Sequence, residues 1–197
     1  MSLSRSRLRR LALITLALDS AGLIEGRTKF QKMAYLANLV GWSALDFRYH
    51  NYGPYSETLA VELEGMKNNG WIREEEVPTG HDRMLYNYSF DTSARGIRQT
   101  FVGKLLELEP NAEKMVKRTR GLIRDLSKFS SEELEIMATL VFERQEDPSL
   151  DDSQLVERVH ELKPQFTVEQ IEPGLRIFKI MQDILHRGPT VGAVATR

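Results

Sequence analysis

Four histidines, His50, His81, His160 and His186, are the side chains best suited to proton transfer or metal ligation near neutral pH. They are scattered, and no two have the i, i+4 spacing that puts two ligands on one turn of a helix, as in H-E-x-x-H. There is neither a G-x-x-x-x-G-K loop to cradle phosphates nor a G-x-S-x-G elbow to expose a nucleophilic serine. The absence of cysteine excludes thiolate catalysis, disulfides and cysteine metal sites together. Glu74, Glu76 and His81 could be imagined as ligands, but a glutamate run beside a hairpin turn is ordinarily solvated and guards a strand edge. His50, two residues after Arg48, could serve as a general base; a lone strand histidine is more often a hydrogen-bonded core residue. No catalytic residue, metal site or cofactor is therefore assigned, and an enzyme is not expected.

Charge bears on binding instead. The 197 residues carry a formal net charge of -1, so no global field draws the chain to nucleic acid or to an anionic membrane. Two local basic clusters are the candidates for nucleic-acid contact: Arg5, Arg7, Arg9 and Arg10 near the N-terminus, and Lys117, Arg120, Arg124 and Lys128 on one predicted helical face. On that helix Met115, Leu122, Leu126 and Phe129 are expected to face the core. The plainer alternative is that both clusters are solvated or paired with the abundant glutamates.

The elements that must position these residues are mostly helical. From about Ser4 to Ala21 the chain predicts a central helix, apolar on most sides from Leu11 to Leu18. The basic "RSRLRR" before the eight-residue "LALITLAL" imitates a secretory signal, but Asp19 ends the apolar run and "SAGLIEGRTKFQKM" reads as further folded helix. A membrane span needs about 20 apolar residues, so a cytoplasmic chain is expected. Phe30, Met33, Ala34, Ala37 and Val40 form the stripe of a second helix, and "DFRYHNY" a short strand. A third helix from "YSETLAVELEGMKNN" puts Leu59, Leu63 and Met66 inward and ends at Gly70. In the corner between strand and helix, Asn51 and Gly53 permit the turn, Pro54 suits a helix start, and Ser56 caps it.

"WIREEEV" and "MLYNYSF" then predict a hairpin, the second strand alternating Met84, Tyr86, Tyr88 and Phe90 with polar or lateral residues. Helix, helix, strand, helix, hairpin is the order of a winged helix, assigned to residues 1–92. Residues 93–187 read as a helical domain, with capping boxes at Ser130 to Glu133 and Thr167 to Gln170, and 188–197 as a flexible tail. The fold class is mainly α with a small β hairpin, α+β.

"RTKFQKMAYLANLVG", "FRYHNYGPYSETLAVELEGMKNNGWI" and, more loosely, "LKPQFTVEQIEPGL" resemble the YwgA-like uncharacterised proteins, themselves similar to the Panacea domain of SocA-type antitoxins. The residues that carry the resemblance are Lys29, Gln31, Lys32, Tyr35, Leu36, Tyr52, Gly53, Pro54, Leu59, Leu63 and Gly70. It implies a winged-helix-like fold, no established chemistry and, through the antitoxin relatives, binding of another protein.

A winged helix also suggests DNA, but its reading surfaces should then be basic. From Gly53 to Val77 two cations face six anions, a local charge of -4. The outer side of the third helix, Glu57, Val61, Glu64, Gly65 and Asn68, lacks a base-reading cluster. The expected function is a non-catalytic regulatory module of antitoxin or adaptor type that binds a protein, or a second copy of itself, through His50, Tyr52, Tyr55, Val61, Glu64 and Gly65. Gly65, a helix-interior glycine, could mark a place where another backbone approaches. The alternative is a winged-helix transcription regulator that binds DNA through the two basic clusters.

Overall fold

A computed structural model describes residues 3–78, 84–94 and 96–187. Among these the helices are α1 (Arg5–Ala21), α2 (Arg27–Asn38), α3 (Glu57–Asn68), α4 (Ile97–Leu108), α5 (Glu113–Leu126), α6 (Ser131–Glu146), α7 (Asp152–Leu162) and α8 (Val168–Arg187). The strands are β1 (Leu23–Glu25), β2 (Arg48–His50), β3 (Gly53–Tyr55), β4 (Ile72–Pro78) and β5 (Met84–Phe90). This mostly helical chain with small antiparallel sheets is of the expected α+β class. It divides into two compact units, Met1–Ala138 and Thr139–Arg197, with α6 running through the division. The boundary expected at residue 92 falls inside the first unit, where α4 and α5 both pack on α1. The predicted tail and the turn of the hairpin, with His81, lie outside the described residues.

In the first unit α1 is the central rod. Ser4 caps it by accepting from the Arg7 N–H at 3.3 Å, and every side chain from Leu11 to Leu18 is buried beneath α2, α3, α4, α5 and β5. The segment after it, expected to be helical, is instead β1. Gly22 and Gly26, with φ of 75° and 96°, bracket three residues that pair antiparallel with Leu23 opposite Ser89 and Glu25 opposite Asn87. A Cβ on Gly26 would sit 2.9 Å from the Leu85 side chain, so the position requires glycine on space as well as on conformation. The hairpin forms as predicted, Ile72 opposite Phe90 and Glu74 opposite Tyr88, and β1 makes β5 the middle strand in the order β1-β5-β4. Only the Tyr88 and Phe90 end of the alternating stripe is buried; Met84 is exposed.

The second sheet corrects the expectation for the corner. Gly53–Tyr55 is itself a strand, pairing antiparallel with Arg48–His50 across the turn at Asn51 and Tyr52, and Gly53 has a φ of 80°. Pro54 is therefore a strand residue opposite Tyr49 rather than the first residue of a helix. Its missing N–H costs little in a ladder only three residues long. Ser56 is the helix cap, accepting from Leu59 N–H at 3.2 Å, with Glu57 in the first turn. At the far end of α3, Gly70 takes a φ of 68°; its N–H donates to the Lys67 carbonyl and that of Trp71 to the Met66 carbonyl, a Schellman closure.

α2 is buried from Lys29 to Ala37 on every side, so its polar residues must be satisfied internally. The Gln31 amide donates to the Ser56 carbonyl at 3.0 Å and accepts from the Ser56 N–H at 2.9 Å. Lys32 Nζ donates to the Pro54 carbonyl at 2.8 Å, and Lys29 Nζ to the Ser127 carbonyl at 3.0 Å. Tyr35 packs edge-on against Phe47. Trp42, fully buried, donates its indole N–H to Thr119 Oγ1 at 2.8 Å and so pins α5. The core face of α5 is accordingly Val116, Thr119, Ile123 and Leu126, with Met115, Leu122 and Phe129 only half-buried. The predicted face was rotated because Thr119 is polar and reads as surface until its partner is known.

In the second unit α7 packs on α8 through Leu155, Val156 and Val159 against a helix that buries Ile171, Leu175 and Phe178. Asp151 and Gln154 form a reciprocal capping box for α7, which the sequence reading missed. Ser130 and Glu133 form the predicted one for α6, with bonds of 2.7 and 3.1 Å.

The Gln31 bridge yields a stability prediction. Gln31→Ala strands the buried Ser56 N–H, while the Ser56 carbonyl keeps the Ala60 N–H at 3.2 Å, and should cost about 2–3 kcal/mol in urea unfolding. Ser56→Ala, which keeps both backbone groups on Gln31 and loses only the cap, should cost about 1 kcal/mol. Equal losses would show that the amide bridge carries no special weight.

Candidate functional site

The β2–β3 hairpin stands beside the start of α2 and the first turns of α3, and hollows open on either side of the Tyr55 ring. One, of about 290 Å³, is lined by Arg27, Thr28, Gln31, Lys32, His50, Tyr52, Gly53, Tyr55 and Glu57. A second, of about 180 Å³, lies between Arg27, Gln31, Tyr55, Ala60, Leu63, Glu64, Glu74 and Tyr88. A third, of about 480 Å³, is bounded by Asp46, Arg48, Tyr49, His50, Tyr55, Glu57 and Thr58. Tyr55 is common to all three, and its ring lies 5.6 Å from the ring of His50. His50 is exposed, not the core residue that a lone strand histidine suggests.

Arg27 stands where the first two hollows meet. Its guanidinium lies 3.7 Å over the Tyr86 ring, Nε donates to the Tyr88 hydroxyl at 3.2 Å, and Nη2 approaches Glu74 at 3.4 Å. Glu74 also receives Lys67 Nζ at 3.2 Å, and Lys67 in turn holds Glu64 at 2.7 Å. Burial pushes the Glu74 carboxyl up, but the bonds from Tyr88 and Lys67 and the charges of Arg27 and Lys67 outweigh it and hold it below the usual range. Burial first, then the bond to Glu74, pushes the Tyr88 hydroxyl far up, with Arg27 opposing, so it stays a neutral donor. Glu74 is thus enclosed in a polar network and is not the solvated edge charge that its place in a glutamate run suggests. Among the described residues no three histidine or acidic side chains gather as metal ligands; His81 lies outside them.

The outer face of α3 carries Glu57, Val61, Glu64 and Asn68, all exposed, as the sequence reading has it; Val61 is 69% exposed. Among the described residues, a Cβ added at Gly65 would meet nothing within 4 Å, so no intramolecular backbone approach explains that glycine. Tyr52, at the hairpin tip, is 63% exposed. The structure therefore brings His50, Tyr52 and Tyr55 around one hollow, with Glu64 on the neighbouring one and Val61 and Gly65 on the open flank of α3.

The basic candidates are placed differently. Arg7 and Arg10 both bind Glu62, whose carboxylate is buried on the inner side of α3, at 3.2 and 2.9 Å. Arg9 binds Glu109 at 2.5 Å and donates to the Trp42 carbonyl at 3.0 Å, while Arg5 reaches Glu109 at 3.7 Å. The bond from Arg9, though opposed by burial, holds the Glu109 carboxyl below its usual range. On α5, Arg120 approaches Asp19 at 3.8 Å and Lys128 pairs with Asp125 at 2.8 Å, whereas Lys117 and Arg124 are exposed.

Arg27 and Tyr88 escaped the sequence reading as site residues, and Glu74 entered it only as an unfavoured metal ligand. The hairpin register held the signal: once Glu74 is set opposite Tyr88, with Tyr86 two residues before it, an anion and two phenols share one patch that calls for a cation.

No family model matches the chain. It is similar to the uncharacterised protein YwgA of Bacillus subtilis (strain 168), 25% identical over 169 residues that cover 84% of this chain and 92% of the relative. That likeness extends well beyond the quoted motifs and carries no activity with it.

The lowered Glu74 carboxyl contributes stability that is complete above its unfolded value and is lost as the pH falls through the depressed folded one. Urea midpoints measured between pH 7 and pH 3 should therefore fall less steeply for Glu74→Gln than for the parent chain. Parallel profiles would remove Glu74 from the network.

Proposed function

We propose that this chain is a non-catalytic regulatory adaptor of the cytoplasm whose winged-helix-like N-terminal part binds another protein through the outward face of α3 and the hairpin tip. The observation that carries the reading is the α3 face itself: Val61 stands 69% exposed between Glu57 and Glu64, with open space over Gly65 one turn on. A surface that reads duplex DNA needs cations there, and this one offers anions around an apolar residue. The winged-helix description rests on the order α1, β1, α2, α3, β4, β5, with the β2–β3 hairpin inserted between α2 and α3, and on the sheet order β1-β5-β4. A place beside the SocA-type antitoxins with their Panacea domain is the finer form of the proposal, supported by the motif residues alone.

Ion pairing weighs against the DNA alternative at the N-terminus, because Glu62 and Glu109 engage the four arginines there and cancel half of their charge. Lys117 and Arg124 remain exposed on α5, and they define the competing test.

A photo-crosslinking residue placed at Val61 in the source cell should capture one protein of defined mass, and Glu64→Lys should abolish the capture. The same residue at Lys117 should capture nothing specific. A captured mass equal to the chain's own would make the partner a second copy. Salt-sensitive retention of duplex DNA that is lost in a Lys117→Glu, Arg124→Glu variant, with no capture at Val61, would replace this reading with the DNA one.

A further inference from the structure

The hollow between the start of α2 and the β2–β3 hairpin has features that protein docking on α3 leaves unused. Arg27 is held by three contacts on one side: the Tyr86 face, the Tyr88 hydroxyl and Glu74. Its side chain is nevertheless 58% exposed, and among the described residues Nη1 makes no bond. A guanidinium oriented by ring stacking, with a free N–H edge, suits a planar carboxylate, since little side-chain freedom is left to lose on binding. The contact to Glu74, at 3.4 Å, is long for a charge-assisted bond and leaves that edge available.

The other walls narrow the class of ligand. Tyr55 and His50 present tilted rings and Tyr52 stands exposed at the tip, a lining that suits an aromatic ring. Lys32, buried behind the Pro54 carbonyl, adds a second basic group to the lining, and Glu57 contributes one carboxylate. Within the lining two basic groups stand against one acid, and Glu74, outside the lining, is also paired by Lys67 at 3.2 Å, a balance that favours a single negative charge. A polyphosphate would meet Glu57 without the cluster of cations it needs, whereas Glu57 can accept from a hydroxyl or amino group on a ring. The volume, about 290 Å³, is at the lower end for small-molecule sites and suits one ring rather than two.

We propose that this hollow is a binding site for a small one-ring aromatic carboxylate carrying a hydroxyl or amino group, with the carboxylate on Arg27 and the ring against Tyr52 and Tyr55. The site shares Glu57 with the α3 outer face and Tyr52 with the hairpin tip, but it is centred on Arg27 and Tyr55, and binding of a small acid by the isolated chain stands whether or not that face docks a protein. Calorimetric and ligand-observed NMR titration of the full chain with 4-hydroxybenzoate should show saturable one-to-one binding, and 4-hydroxybenzamide, identical but uncharged, should bind at least tenfold more weakly. Arg27→Gln should weaken the acid tenfold or more while leaving the amide unchanged. Tyr52→Ala, at an exposed tip outside the core, should weaken both several-fold and serves as the decisive variant if Arg27→Gln does not fold. Val61→Asp should change neither. No saturable binding of the acid, equal binding of acid and amide, or an acid affinity indifferent to the folded variants would overturn the proposal.

Discussion

Everything around the hairpin depends on one buried amide. Gln31, inside a helix that is covered on all sides, meets both the N–H and the carbonyl of Ser56. A short strand that turns straight into a helix leaves the N–H of its junction residue without a partner in either element, while the Ser56 carbonyl takes the first helical bond, from the Ala60 N–H at 3.2 Å. Water is excluded there, so a side-chain oxygen must accept from that N–H; Gln31 supplies it and adds its own N–H as a second donor to the Ser56 carbonyl. Lys32 donates to the carbonyl of Pro54, two residues back. Once these bonds are made, the hairpin is fixed against α2, Ser56 is placed to cap α3, and the ring of Tyr55 is set between the hollows.

This gives the "KxQKxxYL" pattern a physical meaning. Lys29, Gln31, Lys32 and Tyr35 reach, in turn, the Ser127 carbonyl, Ser56, the Pro54 carbonyl and the Phe47 ring. The "YGP" that accompanies the pattern is the strand these side chains hold. The two motifs are halves of one assembly, which is why residues about 20 positions apart in sequence belong to a single recognisable signature. Their chemistry is spent on holding backbone, so the resemblance they carry speaks about architecture.

The charges are arranged in the same economical way. Glu62, expected to add to the acidity of the α3 surface, turns inward and takes two arginines from α1, while Glu109, just past α4, takes the other two. Partly buried pairs of this kind anchor helices to one another, and each cation so used is less available to a phosphate. The charge left outward on α3 is then Glu57 and Glu64, beside an exposed valine. Arg27 joins both patterns, structural on its Tyr86 and Tyr88 side and open on the other.

The sequence by itself determined the local features, because periodicity, caps and glycine stops act over a few residues. The buried α1, the inward Leu59, Leu63 and Met66, the Ser56 cap, the Gly70 stop, the Ser130 and Glu133 box and the outward face of α3 were all legible from neighbours within one or two turns. What it left open required partners far along the chain. β1 is three residues long and is a strand only because Ser89 to Asn87 lie alongside it. Pro54 reads as a helix start until Arg48–His50 is found to pair with its strand. Thr119 faces inward because Trp42 is there to meet it, 77 positions away, and the four N-terminal arginines became structural only when folding brought Glu62 and Glu109 to them. Charged and polar side chains have the same local signature whether they face water or a partner, and only tertiary structure decides which of the two they meet.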